Sequence, residues 1–462
     1  MKALIVGAGK LGYRLADALV DEGVEIVVVD KNDEVIENIS NLIDVMTVKA
    51  NALDFMVLKE LDISSFDMIL ATTKNDEANV VLCSISKKLG CKFAVARVRD
   101  PEYLRHLSFM AKELDIDYII NPDFETAEVI EKYLLKKYLL MSDEFVGGKV
   151  KLVEFNVAND ENFVGQKLMD LKGFDDLLVT AISRSGETII PNGQSVLMKN
   201  DIILVGGDAH AIEQFDRDHS GVERTKSIEK VMIVGGGKVG FYLALLLNNA
   251  NVEVTIIEKD MERCLFLKET LPDCTVIQGD GTNMNLLEEE MIHTFDGFVA
   301  TTGIDEANLL NALVVKQMGV YKTVAKISRS NYNMILDRLV IDGVFNSNFI
   351  TASKILRLIR GSGALSVNLM LGGDAEFTEM IINKGTLSTD KKIKDLDLPE
   401  GILIVALVRE NEVIIPNGDS ILQEGDHAVL FCTRDRLSDM KRIFQKDELA
   451  NEALWKFWAR KR

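Results

Sequence analysis

The chain is written twice, and this repetition limits its possible folds more than any other feature. KALIVGAGKLG from Lys2 aligns with KVMIVGGGKVG from Lys230, so Gly7, Gly9 and Gly12 fall on Gly235, Gly237 and Gly240 at a single spacing of 228 positions. Asp30 and Glu258 keep that spacing. ATTKNDEANV from Ala71 meets ATTGIDEANL from Ala300, and VARV from Val95 meets VAKI from Val324, both 229 apart. IIPNGQS from Ile189 and IIPNGDS from Ile414 repeat at 225, followed by Asp201 and Asp426. Repeats this long describe a duplicated pair of domains, because solenoid units run only about 20 to 50 residues.

In the first half, apolar runs at Leu4 to Val6, Val24 to Val29, Asp44 to Val48, Met68 to Ala71, Phe93 to Val98 and Tyr118 to Ile120 alternate with helix-length stretches. The second half repeats them at Val231 to Val234, Val252 to Ile257, Thr275 to Ile277, Gly297 to Ala300, Thr323 to Ile327 and Val344 to Asn346. Strand and helix in alternation predict a parallel sheet with crossover helices, six strands to a domain. From about Lys149 and Asn368, β-branched runs alternate with turn residues, including Pro191-Asn192-Gly193 and Pro416-Asn417-Gly418. The fold class expected is therefore α/β: two Rossmann-like, doubly wound parallel-sheet domains, each followed by a small α+β domain. The first Rossmann-like domain is placed at 1–122 with a crossover helix at 123–141, and the first small domain at 143–223. The second pair falls at 228–346, with a crossover helix at 350–360, and at 366–447, leaving a basic aromatic tail at 448–462. The polar stretch between His219 and Glu229 is the expected linker between the halves.

Each glycine fingerprint follows an apolar strand, opens a helical segment and has an acid 18 residues beyond its last glycine, as a dinucleotide site requires. Gly7 and Gly235 would make the tight turn, Gly9 and Gly237 would admit phosphates to the backbone, and Gly12 and Gly240 would let helix and sheet pack closely. Ala8, Leu11, Gly236 and Val239 complete the loops, whose helix N-termini face the phosphates. Asp30 and Glu258, ending the second strand, would accept hydrogen bonds from ribose hydroxyls and repel a 2′-phosphate. The bland alternative is a pair of tight strand-to-helix turns without a ligand. Lys10 and Lys238 either reach a terminal phosphate, which admits a nucleoside di- or triphosphate beside a dinucleotide, or are solvated surface lysines. Thr72, Thr73, Thr301 and Thr302 lie at the carboxyl edge of the fourth strand, where ligands bind in open α/β sheets. Acids at 76, 77, 305 and 306 suit helix capping. Asn79 and Asn308 are candidates for ligand contact, and Arg97 and Lys326 for phosphate partners at the end of the fifth strand.

Catalytic equipment is absent from the sequence: there is no HExxH, GxSxG or Walker motif, and the histidines do not correspond under the repeat. With 53 basic against 72 acidic residues, the formal charge of -19 argues against nucleic-acid binding. Five cysteines without CxxC spacing suit reduced core thiols. The opening strand leaves no room for a signal peptide, so a cytoplasmic chain is expected. Trp455, Phe457 and Trp458, interleaved with Lys456, Arg460, Lys461 and Arg462, read as a membrane or channel contact or as an oligomer helix.

VGAGKLG, ATTKNDEAN and IIPNG in this domain order resemble the TrkA family of potassium-uptake regulators over nearly the whole chain. In that family the larger parts are RCK N-terminal domains and the smaller are RCK C-terminal domains. The resemblance implies a non-enzymatic peripheral protein on the inner face of the cell membrane. It assembles into a homo-oligomeric ring, a tetramer, binds NAD(H) or ATP and ADP, and gates a Trk-type membrane potassium-translocating subunit. It carries ligand contacts to Gly7 through Leu11, Asp30, Asn51, Thr72, Thr73 and Arg97, and to Gly235 through Val239, Glu258, Asp280, Thr301, Thr302 and Lys326. Where the family has Gly followed by Asp or Asn after the third strand, as at Gly279-Asp280, the first half has Ala50-Asn51. The rival readings are an NAD-dependent oxidoreductase and a stand-alone nucleotide sensor.

Overall fold

The computed structural model describes residues 1–444 except 21–22, 136–141, 175, 185–186, 220–226, 330–331, 333–338, 361–365 and 371–374. The basic aromatic tail, most of the expected linker and the end of the first crossover helix lie outside the described residues.

The first half opens with a six-stranded parallel sheet built from β1 (Lys2–Val6), β2 (Glu25–Asp30), β3 (Met46–Lys49), β4 (Met68–Ala71), β5 (Phe93–Arg97) and β6 (Tyr118–Ile120). Its order is β3-β2-β1-β4-β5-β6, the doubly wound arrangement with its crevice between β1 and β4. Ala3 stands opposite Ile26 on one side and Met68 on the other. The central strands are buried on both faces, which is why they read as unbroken apolar runs without alternation. The crossovers carry α1 (Lys10–Val20), α2 (Asp33–Leu42), α3 (Phe55–Glu60), α4 (Asp76–Lys88) and α5 (Leu107–Glu113), and α6 (Pro122–Leu135) follows β6.

A five-stranded antiparallel sheet comes next: β7 (Ser142–Phe145), β8 (Val150–Asn156), β9 (Leu177–Arg184), β10 (Glu187–Ile189) and β11 (Ile202–Asp208), ordered β10-β9-β11-β8-β7 and closed by α7 (Ala209–His219). The second parallel sheet repeats the first with β12 (Lys230–Val234), β13 (Glu253–Glu258), β14 (Thr275–Gln278), β15 (Gly297–Ala300), β16 (Lys322–Ile327) and β17 (Gly343–Asn346). Its helices are α8 (Lys238–Asn249), α9 (Met261–Thr270), α10 (Met284–Glu289), α11 (Asp305–Gln317) and α12 (Ser347–Arg360). The last sheet has β18 (Ser366–Met370), β19 (Ala375–Ile381), β20 (Ile402–Arg409), β21 (Glu412–Ile414) and β22 (His427–Thr433), with α13 (Leu437–Phe444) after it. The α/β class and both small α+β domains are as the sequence predicts.

The compact units do not follow the sequence halves. Among the described residues, one unit gathers those of 1–134, 228–329 and 343–352, and the other those of 135–227, 330–342 and 353–444. Rossmann domain therefore packs with Rossmann domain, and small domain with small domain. In the first unit the two docked helices repeat one contact with different chemistry. Tyr242 on α8 meets the ring of Phe124 edge-on at 5.6 Å, whereas its counterpart on α1, Arg14, lies 4.0 Å over the ring of Phe349. Lys322, fully buried at the start of β16, donates to the carbonyls of Tyr133 (2.9 Å) and Leu134 (3.2 Å). Both carbonyls belong to the last turn of α6, where a cation is favoured by the helix dipole. In the second unit, Phe145, Leu152 and Leu204 from one sheet share a core with Phe377, Val405 and Phe431 from the other. All five cysteines are free and buried, and burial pushes the Cys91 thiol up to about 11. Burial also raises the thiols of Cys83, Cys264 and Cys274, as suits packing residues.

Candidate functional site

The crevice at the carboxyl edge of each parallel sheet is shaped by its glycine loop. Gly7 adopts φ +95° and Gly235 φ +100°, which a side chain rarely tolerates, and an added Cβ would meet the Thr73 or Thr302 backbone at 2.9 or 3.0 Å. At Gly12 and Gly240 an added Cβ would fall 1.9 and 2.0 Å from the carbonyl oxygens of Gly7 and Gly235, so these two glycines let the helix close on the loop. Gly9 and Gly237 differ: nothing lies within 4 Å of a Cβ built there. That open space stands at the start of α1 and α8, where the first turn of a helix has unmatched N–H groups and positive partial charge. Ala8, Leu11 and Val239 are buried beneath the loops.

The two carboxylates hold the loops before any ligand is considered. Asp30 Oδ2 accepts from Ala8 N at 2.8 Å, and its Oδ1 accepts from Asn32 N at 2.9 Å. Glu258, one carbon longer, accepts from Gly236 N at 2.7 Å and from the amides of Lys259 and Asp260 at 2.7 and 2.9 Å. Both acids thus end their second strands with oxygens fixed beside the loop, and each carboxylate keeps lone-pair capacity for a hydroxyl, at Glu258 through Oε2. Beyond β3, Asn51 caps its own turn through Leu53 N. Its counterpart Asp280 accepts from the Thr282 hydroxyl and amide and pairs with Lys259 at 3.0 Å, which together hold its carboxyl at about 2.

The threonines divide into two roles. Thr72 and Thr301 are buried, and their hydroxyls donate to Gly7 O and Gly235 O at 2.9 Å, pinning each loop to the fourth strand. Thr73 and Thr302 sit at the rim and donate to Asn79 Oδ1 and Asn308 Oδ1 at 2.7 Å. Both asparagines are fully buried, and their amides are committed. Asn79 Nδ2 donates to Thr73 O and Arg97 O, and Asn308 Nδ2 donates to Thr302 O and Lys326 O. The expectation that these two amides meet a ligand is corrected: their donors and acceptors are consumed tying the fourth-strand loop to the fifth strand. Likewise Asp76 and Asp305 do more than start helices, because each accepts from two backbone amides after the fifth strand.

Arg97 donates to the carbonyls of Thr72 and Thr73 at 3.1 Å, and Lys326 Nζ donates to Thr302 O at 3.1 Å. Burial, reinforced by neighbouring Arg99, pulls the Arg97 guanidinium down to about 10, and burial lowers Lys326 as well. Arg97 is therefore charged at neutral pH, and both cations are poorly solvated, the condition in which an anion is welcome.

Sequence reading missed four residues here. Arg99 forms an ion pair with Asp123, with Nε–Oδ2 at 2.5 Å. The Tyr242 hydroxyl donates to Arg99 O and accepts from Asn121 Nδ2, both at 2.9 Å. Asp100 meets Lys238 at 3.5 Å, and Arg263 Nε donates to Gly236 O at 2.7 Å. A cation five residues past the strand-ending acid was the available signal for Arg263, but the first repeat has Val35 there. Among the described residues, no cluster of His, Cys, Asp and Glu could hold a metal ion.

Comparison with known proteins agrees with this architecture. The TrkA-N domain model matches residues 3–122 and 231–347, and the TrkA-C domain model matches 152–219 and 377–445. The chain is 32% identical over 453 residues to the Trk system potassium uptake protein TrkA homolog 1 of Methanosarcina mazei, covering 96% of this chain and 100% of that one. It is 33% identical over 454 residues to the Trk system potassium uptake protein TrkA of Halomonas elongata, covering 96% and 99%. Among solved structures, the GsuK channel bound to NAD superposes with a TM-score of 0.59 at 18% identity, over 98% of this chain and 79% of that one. With each domain type present twice in alternation along nearly the full length, the chain belongs to the TrkA family.

Proposed function

We propose that this protein is the nucleotide-binding regulatory component of a Trk-type potassium uptake system, gating a membrane potassium-translocating subunit in response to NAD(H), ATP or ADP. The observation that carries the reading is the pair of open glycine loops, each with a carboxylate fixed beside it, in a chain of this family. The family's named members take part in potassium uptake, and NAD is bound by the GsuK channel, which shares this fold. Among the described residues no helix is long and apolar enough to cross a membrane, so the reading assigns the ion path to a separate subunit and this chain to a homo-oligomeric ring, a tetramer, on its cytoplasmic face. A bound nucleotide shifts the ring between states only through its different affinity for them.

The ligand contacts in this proposal are the loops Gly7 to Gly12 and Gly235 to Gly240, with Asp30 and Glu258 on the riboses. Asn51 and Asp280 stand beyond the third strands, Thr73 and Thr302 at the rim, and Arg97 and Lys326 on phosphate. Calorimetric titration of the full chain with NADH, NAD, ATP and ADP tests it. Asp30→Ala and Glu258→Ala are each expected to remove one class of site, weakening it by about 10-fold or more. Retention of every site in both variants would refute the assignment. Unchanged potassium uptake in cells lacking the gene would refute the channel partner.

A further inference from the structure

The two glycine loops are not electrically equivalent. At the second loop Lys238, on the first turn of α8, is joined by Arg263 from the first turn of α9. Arg263 Nε donates to Gly236 O at 2.7 Å and its Nη2 to Gly237 O at 3.4 Å. Its guanidinium lies 4.4 Å over the Phe266 ring, with Phe241 5.9 Å away, so the fork is already ordered beside the open space at Gly237. A carboxylate faces this pair of cations, and it comes from the other Rossmann domain. Asp100 Oδ2 stands 3.5 Å from Lys238 Nζ and within electrostatic reach of Arg263. The Asp100 backbone is fixed by Asp76, and its other oxygen accepts from Glu102 N. At the first loop the matching positions are Val35 and Asn38 of the same domain and Arg329 of the other, so that loop lacks the cation on its second helix and has an arginine where the second loop meets an acid.

Resting on the nucleotide reading above, we infer that the second loop takes a nucleoside triphosphate, whose terminal phosphate competes with the Asp100 carboxylate for Lys238 and Arg263. The contact at 3.5 Å between partly exposed groups is a weak pair, worth under about 1 kcal/mol in exposed settings, so a polyphosphate can replace it. Arg263 offers the planar fork that matches phosphate oxygens.

Titration of AMP, ADP, ATP and NAD into the wild type, Arg263→Val and Asp100→Asn tests the inference. Arg263→Val, which installs the first repeat's residue, is expected to weaken ATP at the Glu258-dependent site by about 10- to 100-fold and to leave AMP within about 2-fold. Asp100→Asn keeps the cap on Glu102 and removes the competing charge, so ATP is expected to tighten by about 2- to 5-fold while AMP does not change. Equal weakening of AMP and ATP by Arg263→Val would reduce Arg263 to a strut of the loop and overturn the inference, as would an Asp100→Asn protein that binds ATP like the wild type. A wild-type chain with no Glu258-dependent isotherm defeats the nucleotide reading itself, which separates the two failures.

Discussion

Alanine at Gly9 and alanine at Gly12 are expected to give opposite phenotypes from positions three residues apart. At Gly12 the new Cβ would sit 1.9 Å from Gly7 O and 3.1 Å from Thr72 Oγ1, so α1 must back away from β1 and the Thr72 clamp on the loop is disturbed. Overpacking of this kind costs about 1–3 kcal/mol, and the contact with a backbone atom places Gly12→Ala near the upper end. Gly9 has no protein atom within 4 Å of the added carbon, and its φ lies outside the left-handed region. Gly9→Ala should therefore leave stability unchanged or raise it by about 0.4–1 kcal/mol through the unfolded chain. The same methyl fills the space reserved for phosphate, so nucleotide affinity at the Asp30-dependent site should fall by about 10-fold or more. Thermal unfolding and calorimetry on the two variants check this. A Gly9→Ala protein that binds like the wild type would mean that no phosphate approaches this loop.

Much of the fold was legible because its signals are local. A fully buried parallel strand is an apolar run, and the observed strands start or stop within about two residues of those runs. The glycines were legible because close approach and positive φ leave few other choices. The Asn79 and Asn308 amides were not, because their partners are carbonyls that converge only once the fourth and fifth strands pair. Arg263 was hidden for a different reason: comparing the repeats highlights sameness, and this residue matters through a difference. The packing of small domain on small domain was also invisible, since nothing in the period of β8 or β19 says which sheet will cover Leu152 or Phe377.

The repeat marked Asp201 and Asp426 but not their partners, and those partners predict an unequal outcome. Arg184 forks onto Asp201 at 2.8 and 2.7 Å and also donates to Val196 O; Arg409 forks onto Asp426 at 2.8 Å twice and donates to Ile421 O. Each acid also accepts from an amide three residues upstream, so one carboxylate closes the whole turn that follows the Pro-Asn-Gly segment. The two members of each pair are buried very differently. Asp201 and Asp426 are 1% exposed, whereas Arg184 and Arg409 keep about 30% of their side chains in water. Removing the acid leaves a guanidinium that can hydrate, but removing the arginine leaves a buried carboxylate with only backbone help. Breaking a buried pair costs about 3–5 kcal/mol. Arg184→Met is expected to reach that range, with Asp201→Asn lower by about 1 kcal/mol or more because the arginine can turn to solvent. The double variant should be less destabilised than the sum of the two, since it leaves no uncompensated charge. Chemical denaturation of the three variants, and of the matching set at Arg409 and Asp426, measures the order. If Asp201→Asn proved the more damaging single change, the carboxylate's bond to the turn amide, and not its charge pairing, would be what holds this loop.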